Sequence, residues 1–236
     1  MGIEIGSGIT IGPGITIGTP GPVTADLTMY LDAADPVSYP GTGTTWFDVS
    51  GNSANISLVG SPTYTSGTPA YFTFNGASQY GTGSTTGILN PGSYTKSLWF
   101  WLNGYADNNL SSSAPGGHFM YMGPGGATQK IYCGHTNWPV FTAFPSTTTF
   151  ALNTWYYVAV TFDTTVGMTL YVNGVQDAVY TANLTPFSGD GSTNIATFGG
   201  GNLLNGRIAK AFFYNARLSA ADILQNFNAT KAGFGL

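Results

Sequence analysis

Few side chains in this 236-residue chain can carry out chemistry: there are 10 Asp plus Glu, 2 His and 1 Cys. Glu4 is the one glutamate, and the aspartates are scattered. A nucleophilic triad would have to recruit His118, after Ala114-Pro115-Gly116-Gly117, or His135, within Cys133-Gly134-His135-Thr136-Asn137. Neither sits in the strand–turn–helix setting that exposes a catalytic serine, so both read as hydrogen-bonding loop histidines. Cys133 and His135 are too few to hold zinc, and one cysteine excludes an intrachain disulfide. The grouping with binding chemistry is Tyr132, His135, Asn137 and Trp138. It could offer a sugar two ring faces with imidazole and amide donors beside them. The alternative is that Trp138 only packs.

Composition narrows the partners. Charged residues make up 7% of the chain, against roughly 25% in an average soluble domain. Six cations cannot line a phosphate backbone or form a polybasic membrane patch, so neither nucleic acid nor membrane is an expected partner. No apolar run approaches the ~18 residues of a membrane span. Met1-Gly2-Ile3-Glu4 has no cationic start followed by an apolar core, so synthesis in a cytoplasm without a secretory leader is expected. Hydrophobic residues at 42% and aromatics at 14% suit a packed domain, and 34 Gly with 13 Pro suit short strands and tight turns.

Two unequal parts must position these residues. Residues 1–22 open with three hexads, Ile3-Glu4-Ile5-Gly6-Ser7-Gly8, Ile9-Thr10-Ile11-Gly12-Pro13-Gly14 and Ile15-Thr16-Ile17-Gly18-Thr19-Pro20. Each pairs two isoleucines on one face of a short strand and then turns at glycine. One such coil cannot bury its own face, because repeat units need stacked neighbours. Ile3, Ile5, Ile9, Ile11, Ile15 and Ile17 are therefore expected to bury themselves by homotrimerisation or docking. A Gly-rich leader without regular structure is the alternative, against which the strict period of six argues. Thr19-Pro20-Gly21-Pro22 reads as a stiff linker.

Residues 23–236 read as antiparallel β-structure. Leu27–Leu31, Tyr71–Phe74, Ser97–Leu102, Trp155–Phe162, Met168–Val172 and Ile208–Tyr214 are the expected strands. Asn75-Gly76 marks a turn, and Asn173-Gly174 a type I′ hairpin. Ser219-Ala220-Ala221-Asp222 is close to a capping box, and Leu218 and Ile223 are spaced as a hydrophobic staple. A short helix is expected there, ending before Gly233.

Three segments carry a family resemblance. Trp155-Tyr156-Tyr157-Val158-Ala159-Val160-Thr161-Phe162-Asp163 with Leu170-Tyr171-Val172-Asn173-Gly174 is the first. Leu204-Asn205-Gly206-Arg207-Ile208 through Tyr214-Asn215-Ala216-Arg217-Leu218-Ser219 is the second, and Phe74-Asn75-Gly76-Ala77-Ser78-Gln79-Tyr80 the third. Together they resemble the laminin-G-like branch of the concanavalin A-like lectin/glucanase superfamily. The resemblance implies an all-β jelly-roll sandwich of two antiparallel sheets with one short C-terminal helix, and it does not by itself give a function. The openings Tyr30–Gly41 and Thr45–Asn52, and the ending Ile223–Lys231, are similar to such domains in tailed-phage structural proteins. In the family, acidic residues often follow the Gly-x-Ile strand. Ala209 and Lys210 stand there instead.

A glucanase of this superfamily needs two carboxylates across a sugar groove, on a Glu-x-Asp-x-Glu-like strand. No such strand exists, and Glu4 lies among the hexads. The chain is therefore expected not to be an enzyme. The resemblance makes calcium the metal to weigh, with Asp32, Asp35, Asp163, Asp177 and Asp190 as the available carboxylates. Their spacing is not that of an ordered calcium loop. They read instead as turn formers and caps, so no cofactor is expected. The resulting expectation is a virion protein made in the host cytoplasm, trimeric through its hexads. Its partners would be capsid or other virion proteins, and its rival reading is an adhesin for host surface glycan. Sedimentation tests the first part: the full chain should run as a trimer and residues 23–236 as a folded monomer. A monomeric full chain with freely proteolysed hexads counts against trimerisation.

Overall fold

The computed structural model describes residues 20–83, 87–105, 108–113, 117–123, 128–137, 140–182, 185–187 and 191–236. The hexad isoleucines and Trp138 lie outside the described residues, and Asn137 is described in its backbone alone. The remainder forms two antiparallel sheets of eight strands each. The first runs β14 (Val175–Tyr180), β13 (Gly167–Val172), β12 (Trp155–Asp163), β7 (Ser93–Leu102), β16 (Asn205–Tyr214), β5 (Tyr71–Asn75), β4 (Thr63–Thr65), with β1 (Leu27–Asp32) also on β16. The second runs β11 (Val140–Pro145), β10 (Ile131–Asn137), β9 (His118–Met122), β8 (Asn109–Ser113), β15 (Thr193–Ile195), β6 (Tyr80–Gly83), β3 (Ile56–Val59), β2 (Thr45–Trp46). This is the expected jelly-roll sandwich.

Alternation along β7 shows how the layers form. Tyr94, Leu98, Phe100 and Leu102 enter the core between the sheets, while Trp99 points to the outer side of the first sheet. That outer side would be wet in a bare sandwich. Here helix α1 (Ala220–Thr230) and a 3₁₀ turn (Lys231–Phe234) cover it. Trp99 stacks on Phe234 at 3.8 Å between ring centroids and 2° between planes, and lies 5.8 Å from Phe227. Ile223, Phe227 and Leu218 complete a second apolar cluster with Tyr157, Phe212 and Tyr214. The dense aromatic run of β7 is thus explained by cover on both faces.

Local signals are met in detail. Asn173 and Gly174 have φ of 50° and 80°, the pair of positive angles that a type I′ turn requires, and they join β13 to β14. Ser219 accepts from the Asp222 amide while the Asp222 carboxylate accepts from the Ser219 amide, closing the capping box. The described chain starts on this helix: Gln225 donates to the Gly21 carbonyl at 2.8 Å, and Val23 donates to Asn226 Oδ1 at 2.7 Å. One feature was not legible from the spacing. The β16–β7 register shifts between Ile208 and Lys210. The extra residue, Ala209, reverses the alternation, so Arg207 and Lys210 share the outer face although they are three positions apart.

The core also holds polar groups. Lys96, His118 and His135 are fully buried, with Lys96 from the first sheet facing two histidines paired across β9 and β10. Lys96 Nζ lies 3.0 Å from His118 Nδ1, and the Tyr94 hydroxyl lies 3.3 Å from His135 Nδ1. An ammonium has no lone pair to offer, so His118 must accept with a bare Nδ1 and is neutral. Burial, then the Lys96 charge, then His135 hold its pKa well below the ordinary value. Burial holds His135 down to about 4, opposed by a hydrogen bond with the Thr185 backbone and assisted by Lys96. Burial likewise pushes the Cys133 thiol up to about 12, with Lys96 acting the other way. These groups titrate out of reach of neutral pH.

Two outcomes follow from this packing. Unfolding releases both histidines to an ordinary pKa near 6.5, so the unfolded chain binds the extra protons. Stability should hold above pH 6.5 and fall towards pH 4, at roughly 1.4 kcal/mol per pH unit for each histidine. A urea midpoint that does not move over that window refutes the assignment. Ser219→Ala should cost about 1 kcal/mol in the same assay, through loss of the cap.

Candidate functional site

Two openings flank the helix on the outer face of the first sheet. The first is a cleft of about 310 Å³ between β1, β16, residues 67–70 and the C-terminal turn. Its polar floor is Asp32, Lys210 and Tyr30. Lys210 forms an ion pair with Asp32, and the Tyr30 hydroxyl donates to Asp32 Oδ2 at 2.8 Å. Burial first, then the Asp32 charge, raise the Tyr30 pKa above its usual range, so the phenol stays protonated. Asp32 is the one carboxylate lining this cleft among the described residues. A cleft with one carboxylate, already satisfied by an ammonium and a phenol, can hold a ligand but cannot run two-carboxylate hydrolysis.

The second opening is an aromatic platform. Trp155 of β12 pairs in register with Trp101 of β7, which pairs with Arg207 of β16, which pairs with Thr73 of β5. Pleating sends all four to the outer face, where Tyr71 joins them two residues along β5. Ring centroids are 5.7 Å apart for Trp101–Trp155 and 5.6 Å for Tyr71–Trp155. The Arg207 guanidinium carbon lies 4.8 Å from the Tyr71 ring and 4.7 Å from the Trp101 ring. Tyr71, Trp101, Trp155 and Arg207 are each partly exposed. Amides sit at the rim: Asn103 Oδ1 accepts from Trp101 Nε1 at 3.1 Å, and Asn103 Nδ2 lies 3.4 Å from Asn205 Oδ1. Phe234 joins the two openings, lining the cleft and meeting Trp155 at 5.1 Å.

The residues singled out from sequence are distributed differently. His135 is buried between the sheets with Cys133, whereas Tyr132 faces the other way and stacks on Tyr121 at 5.6 Å. Residues 132 and 135 are an odd number apart on one strand, so pleating separates them. The structure therefore does not bring Tyr132 and His135 onto one surface. His118 and His135 are core residues rather than loop residues. Trp101, Trp155 and Tyr71 were within the expected strands and Arg207 stood one residue before one, in a strand that starts at Asn205, but nothing in their spacing links four separate segments.

The aspartates do not fit a calcium site. Asp35 accepts from the Val37 amide, Asp163 from the Thr165 amide, and Asp177 from the Thr147 and Thr148 amides. Asp32 is committed to Lys210. Among the described residues no three His, Cys, Asp or Glu gather, whereas calcium takes six to eight oxygens. Asp190 lies outside the described residues.

Comparison with known proteins agrees with the fold. No curated protein sequence matches the chain. Among solved structures, one from a study of botulinum neurotoxin type C, whose cell entry depends on two ganglioside molecules, superposes with a TM-score of 0.69 at 16% identity. It covers 88% of this chain and 52% of that one. The binding domain of Paraclostridial Mosquitocidal Protein 1 superposes at 0.70 with 13% identity, covering 87% and 52%. The binding domain of botulinum neurotoxin DC in complex with rat synaptotagmin II gives 0.69 at 15%, covering 88% and 52%. The chain thus spans about half the length of these structures, and at such identities the likeness is one of fold. Residues 74–224, well over half of the chain, match a family profile, and with the two-sheet sandwich this places the protein in the concanavalin A-like lectin/glucanases superfamily.

Proposed function

We propose that the chain is a non-enzymatic carbohydrate-recognition module. The observation that carries this reading is the outer-face platform, where partly exposed indole and phenol rings lie beside rim amides. Sugar rings present C–H faces that pack on aromatic rings, while their hydroxyls exchange hydrogen bonds with amides. The neighbouring cleft extends the surface without supplying a second carboxylate, so binding is separated from hydrolysis. Cell entry of botulinum neurotoxin type C, one of the structurally similar proteins, depends on two ganglioside molecules. That supports a glycan as the ligand class, while the matched half of those proteins does not say which half binds.

A second observation favours display on a particle. Six isoleucines at a strict period of six make one coil of a repeat, and repeat units bury their apolar face against stacked neighbours. A homotrimeric stalk, or docking on a capsid or other virion protein, would bury them and present the sandwich outward. The same reading puts the protein on a tailed-phage virion surface after synthesis in the host cytoplasm, with host glycan as the outer partner.

A glycan array probed with the full chain should give a defined set of ligands, and Trp101→Ala and Trp155→Ala should each weaken them by about tenfold or more, at unchanged fold by circular dichroism. An empty array, with and without calcium, removes the carbohydrate reading. Labelled particles viewed by electron microscopy check the display role, and a chain absent from purified virions ends it.

A further inference from the structure

Arg207 differs from the other cations with described partners. Lys96 is buried against His118, Lys210 is paired with Asp32, and Lys231 lies 5.3 Å from the Phe227 ring centroid. Arg217 lies in the field of Asp163. Arg207 has only ring contacts, to Tyr71 and Trp101 on the strands either side of it. Its Nε is buried without a hydrogen-bond acceptor, as is that of Arg217, whereas its two terminal nitrogens are not among the buried unpartnered atoms. No carboxylate forms an ion pair with it among the described residues.

Such an arrangement is costly unless an anion completes it. A guanidinium taken partly out of water loses hydration, and two ring contacts return only part of that loss. With both rings against the group, its terminal N–H edge carries the donors that have no hydrogen-bond partner. That edge matches a planar carboxylate through two parallel charge-assisted hydrogen bonds. Trp101 contacts the guanidinium, and the Trp155 ring lies 5.7 Å from that of Trp101 and 5.6 Å from that of Tyr71. One guanidinium also supplies one charge, which suits a monoanion.

We propose that the outer-face platform binds carboxylate-bearing sugars, with Arg207 gripping the carboxylate edge-on and Trp101 and Trp155 supporting the sugar ring. The inference rests on the carbohydrate reading and gives it a ligand class.

The test compares acids with their own uncharged esters by titration calorimetry on the full chain. The probes are oligogalacturonate and sialyllactose, each against its methyl ester. The acid forms should bind about tenfold tighter or more than the esters, the scale of a hydrogen bond to a charged group. The gap should close in Arg207→Gln, shrink in Arg207→Lys, and persist in Lys130→Gln, which removes the same net charge elsewhere. Equal binding of acid and ester by the wild-type chain overturns the proposal without any variant having to fold. So does a gap that survives Arg207→Gln, or a sulfated oligosaccharide of equal length that outbinds the galacturonate. Trp101-dependent binding of esters and acids alike would sink the anion assignment and leave the carbohydrate reading standing. Absence of binding by every probe and every array glycan would sink both.

Discussion

Strand β7 is buried on both of its faces, and the rest of the architecture follows from that constraint. Its inner face needs the second sheet, which supplies Met120, Ile131 and Cys133 to the common core. Its outer face needs the C-terminal helix and turn, whose Phe227 and Phe234 seal Trp99. The cover is narrow: eleven helical residues cannot span eight strands. The sheet therefore stays open on two sides of the helix, and those openings are the cleft and the aromatic platform. The binding surface is what remains of a large apolar sheet after a short helix has protected its middle.

Charge scarcity shapes what these openings can do. The whole chain holds six cations and ten acids, so few charged groups are available to these openings. Asp32 is neutralised by Lys210 and steadied by Tyr30, so the cleft presents dipoles rather than a free carboxylate. Lys96 faces His118 and Tyr94 faces His135 inside the sandwich, and burial first, with the Lys96 charge beside it, keeps the histidines neutral. Arg207 is the exception, positively charged on a surface of rings. The β16 bulge at Ala209 matters here, because it keeps Arg207 and Lys210 on one face and so ties the platform to the cleft. Without the extra residue, one of the two cations would point into the core.

The same scarcity bears on the two-carboxylate hydrolysis known in this superfamily. Hydrolysis requires an acid and a nucleophile facing each other across a sugar, and the strand entering the cleft carries Ala209 and Lys210. Lysine there converts a possible acid into a partner for Asp32. Binding chemistry survives the exchange, since ring faces, amides and a guanidinium need no proton transfer.

Much of the fold was legible in the residues themselves. Alternating apolar positions, Asn173-Gly174 and the Ser219–Asp222 box each act over fewer than ten residues, where backbone sterics and local hydrogen bonds decide the outcome. The lack of a Glu-x-Asp-x-Glu-like strand could likewise be read from the residues alone. The site was not legible, because it is a product of strand order. Tyr71, Trp101, Trp155 and Arg207 become neighbours only when β5, β16, β7 and β12 lie side by side, and a β-bulge shifts the parity that pattern reading depends on. Tyr132 and His135 show the converse: close along the chain, they are sent to opposite faces by the pleat. Periodicity fixes which way a side chain points relative to its own strand, and only the assembled sheets decide what it then meets.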